Sequence, residues 1–212
     1  PRLGGVKLFW RFVNKLSHFV FFFTKSGCKF TTDCFIMDTN NNREEMVAGF
    51  WIYNDLRHIT GLMQAHVVYA TITGNNEEVA DIIGGAFEAE NVAVKKTEIS
   101  QTEVDEFEDV DIAVVVPYTY DQGSLPDEGL DFFEELADAT LDNVVYGVAG
   151  SGDTYYLSDY CVAVPKFEAQ FEQTQAIKGA AGVKINLHPD ADDAQALTAF
   201  VKALIEKAKT LQ

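Results

Sequence analysis

The sequence predicts an α/β sandwich built on a mostly parallel sheet of five strands. Three observations carry that expectation. From Met63 onward, short apolar runs alternate with segments whose apolar residues recur at helical spacing, the mark of successive strand–helix units. The run DIAVVVP (111–117) is apolar without alternation, which implies a strand buried on both faces. The chain also changes character at this boundary. Residues 1–62 carry 8 Lys+Arg against 5 Asp+Glu, whereas residues 63–212 carry 8 against 28, a net of −20.

The first 62 residues lack the pattern. VKLFWRFVNKLSHFVFFF (6–23) is interrupted by Lys7, Arg11, Lys15 and His18, and only Phe19 to Phe23 run unbroken. A spanning helix needs about 20 largely apolar residues, so no membrane span is expected. A convincing small-residue cleavage site for a secretory signal is missing too. An amphipathic surface helix stays open. TKSGCKFTTDC and DTNNNREE carry turn chemistry without a period. Residues 1–62 are therefore expected to be an upstream extension or a mistaken start, poorly structured, with residues 63–212 as the folded domain.

In that domain AHVVYA (65–70) reads as the first strand. Val79, Ile82, Ile83, Ala86 and Phe87 place a buried stripe on the next helix. VAVKKTEI (92–99) is a more exposed strand, because its lysines break the apolar run. DIAVVVP is the third. Pro126 can open the next helix at its first turn, with Leu130, Phe133, Leu136 and Ala137 facing inward. NVVYGVAG (143–150) is a fourth, buried strand. Residues 159–176 are expected to be helical, with Phe167 and Phe171 one turn apart and Pro165 confining the regular helix to the residues after it. VKINL (183–187) is the fifth strand. The last helix buries Leu197, Phe200, Val201, Leu204, Ile205 and Ala208.

Charge and cysteines narrow the function. A body at −20 repels nucleic acid and anionic membranes and favours a basic docking partner. Cys28, Cys34 and Cys161 have no CxxC spacing, which argues against a disulfide framework or a zinc site and fits a reducing, cytoplasmic setting. Cys161 is expected to be a buried thiol. His66, in a strand, and His188, in a turn, are expected to be structural. Glu134-Glu135 and Asp192-Asp193 read as solvated helix positions, with Asp190 a helix cap.

Ligands of open parallel sheets bind beyond the carboxyl ends of the strands, where three loops stand out. TITGNNEE offers Thr71 and Thr73 hydroxyls, an Asn76 amide, and Gly74 for close backbone approach, just before a helix N-terminus. It contains no lysine, so it is not an ATP-binding GxxxxGK[ST] loop. The same residues equally suit simple helix capping. YTYDQGSLPDE (118–128) and GSGDTYY (150–156) come after the third and fourth strands, and six of the eight tyrosines lie between positions 118 and 160. Tyr118, Tyr120, Tyr155 and Tyr156 could sandwich a planar ring. A phosphate at one loop and a flat ring between two others describe a mononucleotide.

Over residues 63–212 the chain resembles the flavodoxins of short-chain type. Thr71-Ile72-Thr73-Gly74-Asn75-Asn76-Glu77 is similar to the family's (S/T)xTGNTE, with Asn76 where threonine is usual. The resemblance implies that these residues cradle the phosphate of FMN. Tyr118-Thr119-Tyr120-Asp121-Gln122-Gly123-Ser124-Leu125-Pro126-Asp127 resembles STWGDGELPD. It puts Tyr120 on one isoalloxazine face and Asp121 in place of a glycine whose peptide can reorient as the flavin takes its first electron. Gly150-Ser151-Gly152-Asp153-Thr154-Tyr155-Tyr156 resembles GxGDSxY, with Tyr156 the outer stacking ring and Tyr155 its alternative. The implied fold is a flavodoxin-like three-layer sandwich with strand order 2-1-3-4-5. VKINL runs into its last helix without the insertion of long-chain members.

By the same resemblance, the function is that of a monomeric, low-potential electron carrier. Non-covalent FMN would shuttle electrons between a basic-surfaced partner such as a flavodoxin reductase and acceptor enzymes. No substrate chemistry is expected on the protein itself. An NAD(P)H-dependent quinone or azo reductase is the alternative, but it would need a second pocket and commonly a dimer interface. A phosphoacceptor receiver domain would want an aspartate where this chain has Pro117.

Overall fold

Continuous apolar runs become the central strands. The computed structural model describes residues 62–212 and, before them, four short strand segments. Val6–Leu8 pairs with Phe23–Lys25, and His18–Phe21 with Phe35–Asp38, both antiparallel. The expectation of a poorly structured extension over residues 1–62 otherwise lies outside the described residues.

From Gln64 the elements are β1 (Gln64–Tyr69), α1 (Asn75–Ala89), β2 (Ala93–Glu98), β3 (Ile112–Val116), α2 (Leu130–Leu136) and β4 (Val145–Gly152). They continue with α3 (Ala163–Phe171), β5 (Ile177–Lys178), β6 (Val183–Asn186) and α4 (Ala191–Lys209). Every ladder among these strands is parallel. The order is β2-β1-β3-β4, and β5 and β6 lie end to end along the outer edge of β4. Five strand positions in the order 2-1-3-4-5 result. The last is split, since Ile177–Lys178 pairs with the start of β4 and Val183–Asn186 with its end. VKINL alone signalled only the second half.

Alternate side chains of β3 enter two cores. Ile112, Val114 and Val116 face the cluster completed by α1 and α4. Ala113 and Val115 face the cluster built by α2, α3 and the turns around Ile99 and Phe107. This double burial is why 111–117 shows no polar alternation. The α4 stripe from Leu197 to Ala208 is buried at all six expected positions. Its N-terminus carries a capping box, in which Asp190 accepts from the N–H groups of Asp192 and Asp193 and Asp193 accepts from the N–H of Asp190.

Two helices depart from expectation. Pro126 does not open α2, because a 3-10 turn at Asp127–Gly129 intervenes and the α-helix starts at Leu130. The turn shifts the phase of the apolar stripe, so Phe132 and Leu136 are buried, Phe133 is half-buried and Leu130 faces solvent. In α3 the regular helix begins at Ala163, ahead of Pro165. A proline in the first turn removes an N–H that has no intrahelical acceptor there, so it is tolerated.

Candidate functional site

The carboxyl ends of β1, β3 and β4 lie side by side, and the loops leaving them share one edge of the sheet. From β1 the chain crosses to β2 on one side, and from β2 it returns past β1 to β3 on the other. Ligands of open parallel sheets bind beyond the strand ends at such a switch point.

In the first loop, Ala70 donates its N–H to the Val116 carbonyl (3.1 Å) and Thr71 Oγ1 accepts from the N–H of Gly74 (3.0 Å). Gly74 is left-handed, with φ 90°, and no atom lies within 4 Å of where a Cβ would stand. It is the N-cap of α1 and supplies no side-chain cap. Glu78 N–H returns to the Gly74 carbonyl, so the amides of Asn75, Asn76 and Glu77 lie ahead of the intrahelical ladder. Ile72 and Thr73 are exposed and Asn75 half-buried.

Asn76 behaves differently from what its place in the motif suggests. It is 1% exposed, and its side chain points inward. Nδ2 donates to the carbonyls of Ala70 (3.0 Å) and Val116 (3.2 Å), while Oδ1 accepts from the N–H of Ser151 (2.9 Å). The amide that the sequence offers to a phosphate is spent on backbone.

The second loop is braced at both ends. The Tyr118 hydroxyl donates to Glu128 (2.9 Å), and burial together with that carboxylate raises its pKa above the usual phenol range. Thr119 donates its N–H to the Ser151 carbonyl (3.2 Å), and its Oγ1 accepts from the N–H of Ala163 (3.0 Å). Tyr120 and Ser124 exchange two backbone bonds of 2.9 and 2.8 Å, closing a hairpin whose tip places Asp121 at φ 43° and Gly123 at φ 86°. Aspartate tolerates the left-handed region better than most side chains. Lys166 holds the hairpin by donating to the Gly123 carbonyl (2.7 Å).

In the third loop, Gly150, Ser151 and Gly152 are still part of β4. Asp153 is a local cap, its Oδ1 accepting from the N–H of Tyr155 (2.8 Å). Thr154 donates its N–H to Asn186 Oδ1 (3.0 Å). Tyr155 and Tyr156 meet edge to face, with centroids 5.5 Å apart. The structure therefore leaves three of the four candidate rings open, with Tyr120 55%, Tyr155 82% and Tyr156 40% exposed, while Tyr118 is anchored to Glu128. Ile72, Leu157 and Leu187 are exposed alongside them, concentrating apolar surface at this edge. Leu157, in a left-handed turn at φ 47°, had no signal in the sequence.

Cys161 lies beneath the edge, buried, with its thiol against the Gly150 and Ile185 carbonyls and its pKa pushed up to about 11 by burial. It is an inert packing group. His188 pairs with Glu78 in solvent (3.1 Å). Among the described residues no cluster of candidate metal ligands forms and no helix is long and apolar enough to cross a membrane.

The family model for flavodoxins matches residues 67–200. The chain belongs to the flavodoxin family. This flavodoxin is 31% identical to probable flavodoxin 2 of Bacillus subtilis, over 67% of its own length and 94% of the relative's. Among solved structures it is similar to a short-chain flavodoxin associated with a non-canonical PDU bacterial microcompartment, at 47% identity and TM-score 0.68, covering 69% of this chain and 99% of the other. It is also similar to the flavodoxin of Streptococcus pneumoniae TIGR4, at 41% identity and TM-score 0.66, covering 68% and 99%. The family consists of electron-transfer proteins that bind FMN. The residues present fit such a group: a helix N-terminus without a side-chain cap, a glycine with open space, and exposed aromatic rings two loops away.

Proposed function

We propose that this flavodoxin holds FMN non-covalently at the β1, β3 and β4 ends and works as a low-potential electron carrier. The single observation that carries the reading is the uncapped N-terminus of α1, opening at the same sheet edge as the exposed rings of Tyr120, Tyr155 and Tyr156. The hydroxyls of Thr71 and Thr73, the Asn75 side chain and the amides at the start of α1 take the phosphate as neutral donors, helped by the helix dipole. Tyr120 covers one face of the ring and Tyr156 the other, with Tyr155 edge-on to it. Thr119, Asp121, Ser151, Gly152 and Asp153 shape the backbone around the ring.

When bound, FMN supplies reversible electron uptake; the chain supplies position and field. Glu77, Asp121 and Asp127 are exposed at this edge, and their charge disfavours adding negative charge to the flavin, which lowers its potential. The net −20 of residues 63–212 attracts a basic-surfaced reductase or acceptor, more weakly as salt rises. The working form is a monomer in the cytoplasm, with residues 63–212 as the carrier domain.

Carrier and reductase differ in one experiment. FMN-loaded full chain is mixed anaerobically with NADPH and its visible flavin absorption followed. A carrier stays oxidised until a flavodoxin reductase is added, then bleaches. Bleaching with NADPH alone makes the protein a reductase.

A further inference from the structure

Asn76 stands where the family usually has threonine, at the first turn of α1. Its amide carries two donor hydrogens and one acceptor oxygen, and the structure uses them on three strands' ends. The two hydrogens go to the carbonyls of Ala70, just past β1, and Val116, the last residue of β3. The oxygen takes the N–H of Ser151, near the end of β4. The orientation is forced: turning the amide over would set its oxygen against two carbonyls and its nitrogen against an N–H.

These are the positions from which the three loops depart. Ser151 also accepts the N–H of Thr119, and Val116 also accepts that of Ala70, so one network joins the phosphate loop to both tyrosine loops. No donor of the Asn76 side chain remains for a phosphate.

We propose that Asn76 is a positioning residue for the flavin ring, holding the Tyr120 and Tyr156 loops in register with the phosphate loop. The proposal rests on the FMN reading above. Its distinguishing consequence is that the side chain at the phosphate loop matters for a ligand that has no phosphate.

Riboflavin is that probe. In full-length protein, Asn76→Ala is expected to weaken riboflavin and FMN alike, by about tenfold, the equivalent of one net hydrogen bond. Thr73→Ala is expected to weaken FMN alone. Asn76→Thr, too short to reach Val116 and Ser151 together, loses ring affinity while its hydroxyl returns part of the FMN affinity. A residue that only adds stability would leave the saturated complex unchanged. Here the fluorescence of riboflavin at saturation, quenched by the flanking tyrosines in the unmodified protein, is expected to rise in both Asn76 variants.

Loss of FMN affinity with riboflavin binding intact would make Asn76 a phosphate donor and overturn the proposal. So would wild-type quenching in the saturated Asn76 variants. Amide exchange in the flavin-free chain gives a second readout, since the Ser151 N–H is expected to be protected in the unmodified protein. If that amide exchanges freely there, the network is absent and the proposal fails, whether or not a variant folds. If the amide is protected but the unmodified chain ignores flavin, the FMN reading fails while the loop network stands.

Discussion

Gly150→Ala is expected to destabilise the protein by about 3 kcal/mol, at the upper end of the cost of overpacking a core. A Cβ on Gly150 would stand 2.1 Å from the Pro117 carbonyl oxygen and 3.2 Å from a Val164 methyl. The first obstacle is backbone, and no rotamer change relieves it. Pro117 leads directly into Tyr118, so β3 and the hairpin beyond it must move together away from β4. The Thr119 bond to the Ser151 carbonyl ties this segment to β4. Urea unfolding followed by circular dichroism measures the change as a shift in midpoint. Gly85→Ala is the control, because Gly85 lies on the exposed side of α1 with nothing within 4 Å of an added Cβ. It is expected to stabilise by about 0.5–1 kcal/mol through helix propensity. Equal responses of the two variants would contradict the close approach at Gly150.

Mild acid is expected to erode stability through His66. The ring is fully buried in β1, its Nε2 bonded to Thr97 Oγ1 (2.7 Å), and it meets the Phe107 ring nearly at right angles. Burial, reinforced by the nearby charge of Lys95, lowers its pKa from 6.5 to about 3. The Glu106 carboxylate, 3.8 Å from Nδ1, is paired with Lys95 and does not reverse this. The sign is set by linkage. Above 6.5 the ring is neutral in both states and contributes no pH dependence. Between 6.5 and about 3 the unfolded chain binds a proton that the folded chain refuses, so stability falls as pH falls. The slope approaches about 1.4 kcal/mol per pH unit, or roughly 2 kcal/mol lost by pH 5. Urea titrations at pH 7, 6 and 5 measure it, and His66→Gln is expected to flatten the upper part of the profile. A profile in which His66→Gln and the unmodified chain fall in parallel would contradict the buried neutral ring.

His66 also illustrates where the sequence stopped being readable. Its place in a strand and a structural role were legible, but Thr97 and Glu106 come from distant segments and only folding brings them together. The central strands and α4 were legible because burial on both faces, or on one helical stripe, leaves an unmistakable pattern of apolar residues. The phase of α2 was not, since a 3-10 turn after Pro126 costs no change in composition but moves Phe132 inward and Leu130 out. At the site, the loops and the open rings were legible from residue types at the strand ends. The inward turn of Asn76 was not, because an amide suits a phosphate and a carbonyl equally well. Only the geometry of three converging strand ends decides between them. Tyr118 was similarly ambiguous until Glu128, one turn beyond the hairpin, claimed its hydroxyl.

In the proposed carrier, three loops at one sheet edge hold a flavin by its phosphate and its ring at once. Equilibrium titration of the full chain with FMN and with riboflavin, followed by flavin fluorescence, tests it most directly. Both are expected to bind with quenching, FMN tighter by about 100-fold, the equivalent of two charge-assisted hydrogen bonds to the phosphate. Equal affinities would contradict the phosphate loop, and flavin fluorescence that the protein leaves unquenched for both ligands would contradict the site as a whole.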